Sequence, residues 1–259
     1  MGLIDSHAHL TYPGLVERIP EVLGHCDQAG VDAVITIGTR LTDAREAIEL
    51  ARRYPSRVYA AAAFHPHEAD KVGAGDIDAM SRLWAEPEIV AIGEIGLDHH
   101  YDFADRVRQR EVFARQLSLA APINKPIIIH CREALDNAVP MLVAHGFRDR
   151  RVVFHCFTGT ADEAGRIAEH GWRISFTGIV TFPKSQALQE IARTYPSDRI
   201  MVETDSPYLS PVPVRGKQPC EPAYVAHTAR FLAELRGTPY DAFVAQTTGN
   251  TRTFFGLPS

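Results

Sequence analysis

The chain has little of what would mark a secreted, membrane-spanning or disordered protein. Its four cysteines, Cys26, Cys131, Cys156 and Cys220, show no CxxC spacing. No disulfide framework is indicated, and a reduced, cytoplasmic protein is expected. The N-terminus, MGLIDSHAHL, has no basic segment followed by an apolar one, so it does not read as a secretory leader. Apolar runs such as VDAVITIG and PIIIHC are far shorter than the roughly 20 residues that cross a bilayer, and no membrane association is expected. Positive charge is not in excess either: 27 Lys and Arg face 32 Asp and Glu, a net charge of −5. That balance excludes the cationic coat that drives nonspecific duplex binding, so any nucleic acid must be attracted locally. Nothing in the sequence points to an obligate protein partner.

What remains is an ordinary globular composition, 259 residues with 45% hydrophobic side chains, of a size that one α/β barrel uses as a single domain. Short runs rich in Val, Ile and Phe are expected as strands at Leu3 to His9, Ala33 to Gly38, Val58 to Phe64, Ile89 to Glu94, Pro126 to His130, Val152 to His155, Arg173 to Phe176 and Arg199 to Glu203. Between them, segments of helical period include Ala44 to Arg53, Arg106 to Leu119, Glu133 to His145, Ala161 to His170, Gln186 to Thr194 and Glu221 to Leu235. Near-continuous apolar strands joined by helical crossovers mean a parallel sheet covered on its faces. Eight such units predict an α/β fold of the (β/α)8 TIM type, one domain over residues 1–259, with an open doubly wound sheet as the rival. Five prolines between Ser206 and Pro222 exclude helix or central strand there and predict a long, stiff loop after the last strand.

The polar residues separate the two architectures. The first strand ends in Asp5-Ser6-His7-Ala8-His9, and alternation sends both imidazoles to one face. A lone HxH is a weak signal, as the second one, His65-Pro66-His67, illustrates. Four further strands, however, stay apolar until their last residues and then supply Glu94 and Asp98, His130, His155, and Glu203 and Asp205. Barrel enzymes keep their catalytic groups at that C-terminal end. His7, His9, Glu94, His130, His155 and Asp205 are too many donors for one tetrahedral zinc with an open position. They suit two ions bridged by Glu94, with His7, His9 and Asp205 on one and His130 and His155 on the other. Such pairs serve hydrolysis, because bound ions lower the pKa of water toward about 7. Asp205 is placed to take the proton, which makes Asp205 and Glu94 the catalytic candidates. The mixed donors favour Zn2+, Mn2+ or Fe2+ over Mg2+ on softness, although availability can override that order; the expected cofactors are two divalent ions, Mg, Mn or Zn. If His130 and His155 point inward, the pleat turns Cys131 and Cys156 toward the helices as packing residues.

The blocks DSHAHL, GEIGLD, IIIHCRE, HCFTG, SFTGIVTF, ETDSPYL, the RGK segment and GNTRTFFGL, in that order along nearly the whole chain, resemble the TatD family of metal-dependent deoxyribonucleases, within the wider amidohydrolase-like barrels. The resemblance implies the same six metal ligands, and hydrolysis of DNA phosphodiester bonds, commonly from the 3' end of single strands. Two departures stand out. The loop after the last strand reads Arg215-Gly216-Lys217-Gln218-Pro219-Cys220-Glu221-Pro222, one residue longer than the RGKxNxP of the family and lacking its asparagine. His99 and His100 stand where tyrosines are more common, and His99 is expected in the outer shell of the site.

Two divalent ions would bring the formal charge from −5 to −1, with all the added charge at one mouth. Around it His65, Arg132, Lys184, Arg215 and Lys217 are candidates for holding phosphate, with Tyr208 and Phe182 to stack on unpaired bases. Single-stranded 3' ends of DNA are the expected partner. Two other readings compete: a barrel hydrolase acting on a small phosphoester, amide or lactone, and a metal-binding accessory barrel without turnover. The lack of a predicted carboxylated lysine and the phosphate-matching cations near the mouth oppose the first, and the presence of all six ligands opposes the second.

Overall fold

Each apolar run becomes a strand in the computed structural model, which describes residues 2–258: β1 (Leu3–Ala8), β2 (Val31–Gly38), β3 (Val58–Ala62), β4 (Ile89–Asp98), β5 (Ile127–Arg132), β6 (Val152–Phe154), β7 (Arg173–Phe176) and β8 (Ile200–Val202). All neighbouring pairs are parallel, and the sheet order is β1 through β8 without a reversal. That order belongs to a barrel, since a doubly wound sheet reverses at a switch point. The helices are α1 (Ile19–Ala29), α2 (Leu41–Arg53), α3 (Asp76–Leu83), α4 (Arg106–Ala120), α5 (Leu135–Ala144), α6 (Ala161–Glu169), α7 (Gln186–Thr194), α8 (Val225–Leu235) and α9 (Tyr240–Phe255). Among the described residues, no helix is long and apolar enough to cross a membrane.

The seam between β8 and β1 closes with few ladder bonds. His7 carbonyl accepts from Asp205 N at 2.9 Å, and Ser206 carbonyl accepts from His9 N at 2.7 Å. Beneath them the buried Asp5 carboxylate accepts from Thr204 N at 2.9 Å and Thr204 Oγ1 at 2.6 Å. The seam therefore sets the ends of the first and last strands side by side at the C-terminal face.

Inside the barrel, Ile4, Ile35, Ile37, Ile128, Val153 and Met201 form one apolar cluster. Phe254 and Phe255 of α9 join it. Arg151, which precedes β6, donates to Phe254 carbonyl at 2.8 Å, so this pair stops the N-terminal end of the barrel. A larger cluster lies between strands and helices. The alternation of small and branched residues along the strands serves both layers, and each fully buried Ile or Phe contributes about 1.5 to 3 kcal/mol.

Differences from the sequence reading lie mostly at element ends. β4 runs on to Asp98 instead of stopping at Glu94, and its register with β5 shifts between Ile92 and Ile95. β1 shifts between Asp5 and Ala8. Such irregularities re-aim side chains beside active sites, and these two flank Glu94 and His7. α9 carries Thr, Gly and Asn, poor helix formers, and lies outside the segments of clear helical period. It forms because Phe243, Val244 and Phe254 are buried, while Thr247 and Thr251 return their hydroxyls to the carbonyls of Phe243 and Thr247.

The proline-rich stretch is a loop as expected, and it crosses the barrel face at Gly178, where an added Cβ would lie 2.2 Å from Leu209 carbonyl oxygen. A tighter approach occurs at Gly96, whose φ is +146° and whose absent Cβ would lie 1.9 Å from His130 carbonyl oxygen. Only glycine lets β4 pass that close to the ligand-bearing end of β5. G96A should lower the stability of the metal-free protein by at least about 2 kcal/mol, read as a fall in the urea midpoint at unchanged slope.

Candidate metal centre

The strand ends carry Glu94 into the middle of a ring of imidazoles. Its oxygens lie 3.8 Å from His7 Nε2, 3.8 Å from His9 Nε2, 3.8 Å from His65 Nε2, 3.7 Å from His130 Nδ1 and 2.6 Å from His155 Nε2. Asp205, just past β8, brings Oδ1 within 3.7 Å of His7 Nε2 and 3.3 Å of His9 Nε2. All six residues proposed as ligands thus converge from five strand ends.

Donor atoms bound to one ion at about 2.0 to 2.2 Å lie roughly 3.4 Å apart when tetrahedral. The distances from Glu94 and Asp205 to His7 and His9 are of that size, and so are those from His130 Nδ1 to Glu94 and to His155 Nε2, 3.7 and 3.4 Å, while His155 Nε2 and Glu94 stand closer at 2.6 Å. Atoms without any hydrogen-bond partner gather here: both ring nitrogens of His7, His9 Nδ1 and His155 Nδ1 are buried and unmatched. Buried polar atoms are normally paired, so this concentration of orphaned donors and acceptors fits a divalent cation. The electrostatics agree. Burial alone would raise the Glu94 carboxyl, but His155, His65 and His7 outweigh it and hold its pKa well below the ordinary value. His155 is also disfavoured as a cation by burial, yet Glu94 and Glu203 push its pKa well above the ordinary one. Glu94 and His155 thus favour each other's charged forms.

The carboxylates that orient the imidazoles are Asp98 and Glu203. Asp98 Oδ2 accepts from His130 Nε2 at 2.9 Å and from His67 Nε2 at 2.8 Å, which leaves His130 Nδ1 as the lone-pair nitrogen facing Glu94. Burial opposes ionisation of Asp98, but those two hydrogen bonds and one from Tyr101 N hold its pKa well below the carboxylate range. Glu203 accepts from Cys156 N at 2.6 Å and faces His155 Nδ1 at 3.5 Å. Such partners fix ring orientation and ligand basicity. Two glutamines on one face of α4 hold the loops that carry them. Gln109 accepts from Asp98 N and donates to Asp98 carbonyl, at 2.8 and 3.0 Å. Gln116 does the same for Phe64 N and carbonyl, at 2.8 and 3.0 Å, immediately before His65.

His65, Arg132 and Tyr208 line the same cavity, which has a volume of about 700 Å³. Arg215 and Lys217 instead line a separate pocket of about 170 Å³ that shares Leu209 with the first. Lys184 lines neither. The Phe182 ring, a candidate for base stacking, is covered by the Arg215 guanidinium at 4.1 Å. His99 is not in the cavity wall, and His100 pairs with Glu133 at 2.7 Å on the surface. The outer-shell place expected for His99 belongs to His67. Cys156 also departs from expectation: β6 ends at Phe154, Cys156 takes φ +46°, and the pleat no longer governs it, so it reaches the cavity. Asp98 and Glu203 are visible in the sequence as strand-end acids. Gln109 and Gln116 give no signal there beyond two polar residues seven positions, or about two helix turns, apart.

Comparison with known proteins identifies the family of the chain. A family profile described as TatD related DNase matches residues 4–256. The chain is 35% identical over 255 residues to the uncharacterized metal-dependent hydrolase YabD of Bacillus subtilis, covering 98% of this chain and 99% of that one. It is 34% identical over 259 residues to the 3'-5' ssDNA/RNA exonuclease TatD of Erwinia tasmaniensis, covering 98% and 100%. The crystal structure of YjjV, a TatD homologue from Escherichia coli, superposes with a TM-score of 0.90 at 29% identity, over 99% of this chain and 98% of the other.

Since Asp98 sets the lone pair of His130, D98N should weaken divalent-metal binding about 10- to 100-fold in a competition titration. H99Q, outside the cluster, should leave it unchanged.

Proposed function

This chain belongs to the family of TatD-related DNases and is a metal-dependent hydrolase, and we propose that it trims single-stranded DNA from the 3' end with two divalent ions, for which Glu94 would be a shared ligand. The carrying observation is the convergence of His7, His9, Glu94, His130, His155 and Asp205 with buried donor atoms left unpaired. In this reading His7, His9 and Asp205 hold one ion and His130 and His155 the other. Mixed imidazole and carboxylate donors accept Mg, Mn or Zn. Bound ions of this kind offset charge on the phosphoryl oxygens and activate water near neutral pH.

The residues of the chain supply the rest. The side chain of Asp205 is 16% exposed against 3% for Glu94, so Asp205 is the carboxylate that can take a proton from water and pass it outward. His65 Nδ1 accepts the backbone N–H of His67 at 3.0 Å. In the neutral ring the proton therefore sits on Nε2, which in this structure donates toward His130 Nδ1 at 3.1 Å. With substrate present, that N–H is placed to donate to a phosphoryl oxygen. Arg132 at the cavity rim pairs with phosphate, and the pocket holding Arg215 and Lys217 takes a neighbouring phosphate of the same strand. Tyr208, 53% exposed on the cavity wall, flanks the path between the two pockets. Contacts dominated by phosphate give weak sequence preference. A reducing, cytoplasmic setting suits the four free cysteines.

Chelation should abolish trimming of end-labelled single strands, and Mn2+ or Mg2+ should restore it. D205N should lower turnover by about 10²- to 10⁴-fold while leaving the unfolding midpoint close to that of the parent. Degradation by D205N at the rate of the parent would trace the activity to a contaminant and refute the nuclease reading. K217A should raise KM for long strands more than it slows turnover of a dinucleotide.

A further inference from the structure

We propose that Tyr101 and Phe103 form a stacking platform for an unpaired nucleobase beside the metal centre, with Arg132 bound to the back of the pair. The inference rests on the nuclease reading above and extends it to the base of the nucleotide being cleaved or the one next to it.

Both rings belong to the turn between β4 and α4. Phe103 is 64% exposed and Tyr101 41% exposed, although large aromatic side chains are usually covered in a folded chain. The two rings lie 25° from parallel with centroids 5.1 Å apart. His67 meets Phe103 edge-on at 4.8 Å, and the Arg132 guanidinium sits 5.0 Å from the Tyr101 centroid. Their exposed surface is not a stray patch, because both rings line the cavity that also contains His9, His130, His155 and Asp205.

The backbone beneath the pair is anchored. Asp98 Oδ1 accepts from Tyr101 N at 2.9 Å, Gln109 donates to Ala104 carbonyl at 3.0 Å, and Arg106 donates to His99 carbonyl at 2.8 Å. The same Asp98 carboxylate orients His130 through its other oxygen. The platform and one ligand nitrogen thus share a single anchor, which fixes the distance between a stacked base and the phosphate to be cut. Preorganisation of this kind lowers the ordering cost of binding.

The chemistry selects the occupant. The cavity offers imidazoles and Arg132 for a phosphate, and next to them the exposed ring faces of Tyr101 and Phe103. Stacking is available to every base and needs an exposed π-face, which a base pair inside a duplex does not present. The platform therefore favours unpaired ends over duplex without reading sequence.

The test uses the full chain and short single strands in which each of the three 3'-terminal nucleotides in turn is replaced by an abasic residue. With the parent enzyme and Mn2+, loss of the base at one position should raise KM roughly five- to 150-fold. In F103A and Y101A that penalty should collapse, and F103W should restore it. As a second readout without turnover, a strand carrying 2-aminopurine at the same position should be quenched on titration with chelator-treated parent, but not with the Y101A/F103A double variant. A parent that trims strands yet is indifferent to base removal at all three positions would overturn the platform and leave the nuclease reading standing, as would variants that keep the full penalty. A parent that trims no strand would overturn both.

Discussion

A single buried carboxylate organises the functional face. Glu94 stands within 4 Å of five imidazoles from four separate regions of the chain, and its charge is what makes their company tolerable in a low-dielectric interior. Remove that charge and the five rings crowd one another in the interior without the one acid that all of them face. Supply a divalent cation, and the same donors become a ligand set whose charges and lone pairs are matched. The barrel serves this site by bringing its strand ends to one rim, with apolar layers below that keep water from the other side.

Around Glu94 the structure is built in successive supports. Asp98 and Glu203 face the far nitrogens of His130 and His155, and Gln109 and Gln116 of α4 hold the backbone on which Asp98 and His65 ride. Glycine at position 96 admits β4 to within touching distance of β5. Positioning of this kind decides chemistry, because ligand geometry that drifts by a fraction of an ångström forfeits both metal affinity and alignment of the attacked bond.

The substrate side is arranged around the same rim. A net acidic surface cannot hold DNA along its length, so attraction is confined to one mouth, where Arg132 faces the larger cavity and Arg215 and Lys217 face the smaller one. Leu209 belongs to both walls. The aromatic turn after β4 and Tyr208 after β8 stand at this mouth, where the proposed function would bring a strand end.

Much of this was legible in the sequence because it follows from period and position. Strands that are apolar on both faces declare a parallel, covered sheet, and a histidine or acid at the end of such a run declares the C-terminal rim. The six ligand candidates needed nothing more. Tertiary structure alone decided the rest. The bulges near His7 and Glu94 aim side chains in ways that strict alternation does not anticipate, and the end of β6 at Phe154 frees Cys156 from the pleat. His67 displaced His99 beside the metal centre because the turn after β3 lies against the end of the neighbouring β4, where it meets Asp98, a contact between residues 31 positions apart. Local pattern records which face a residue takes; which residues meet across a closed barrel depends on register and loop path, and those are set only when the whole chain packs.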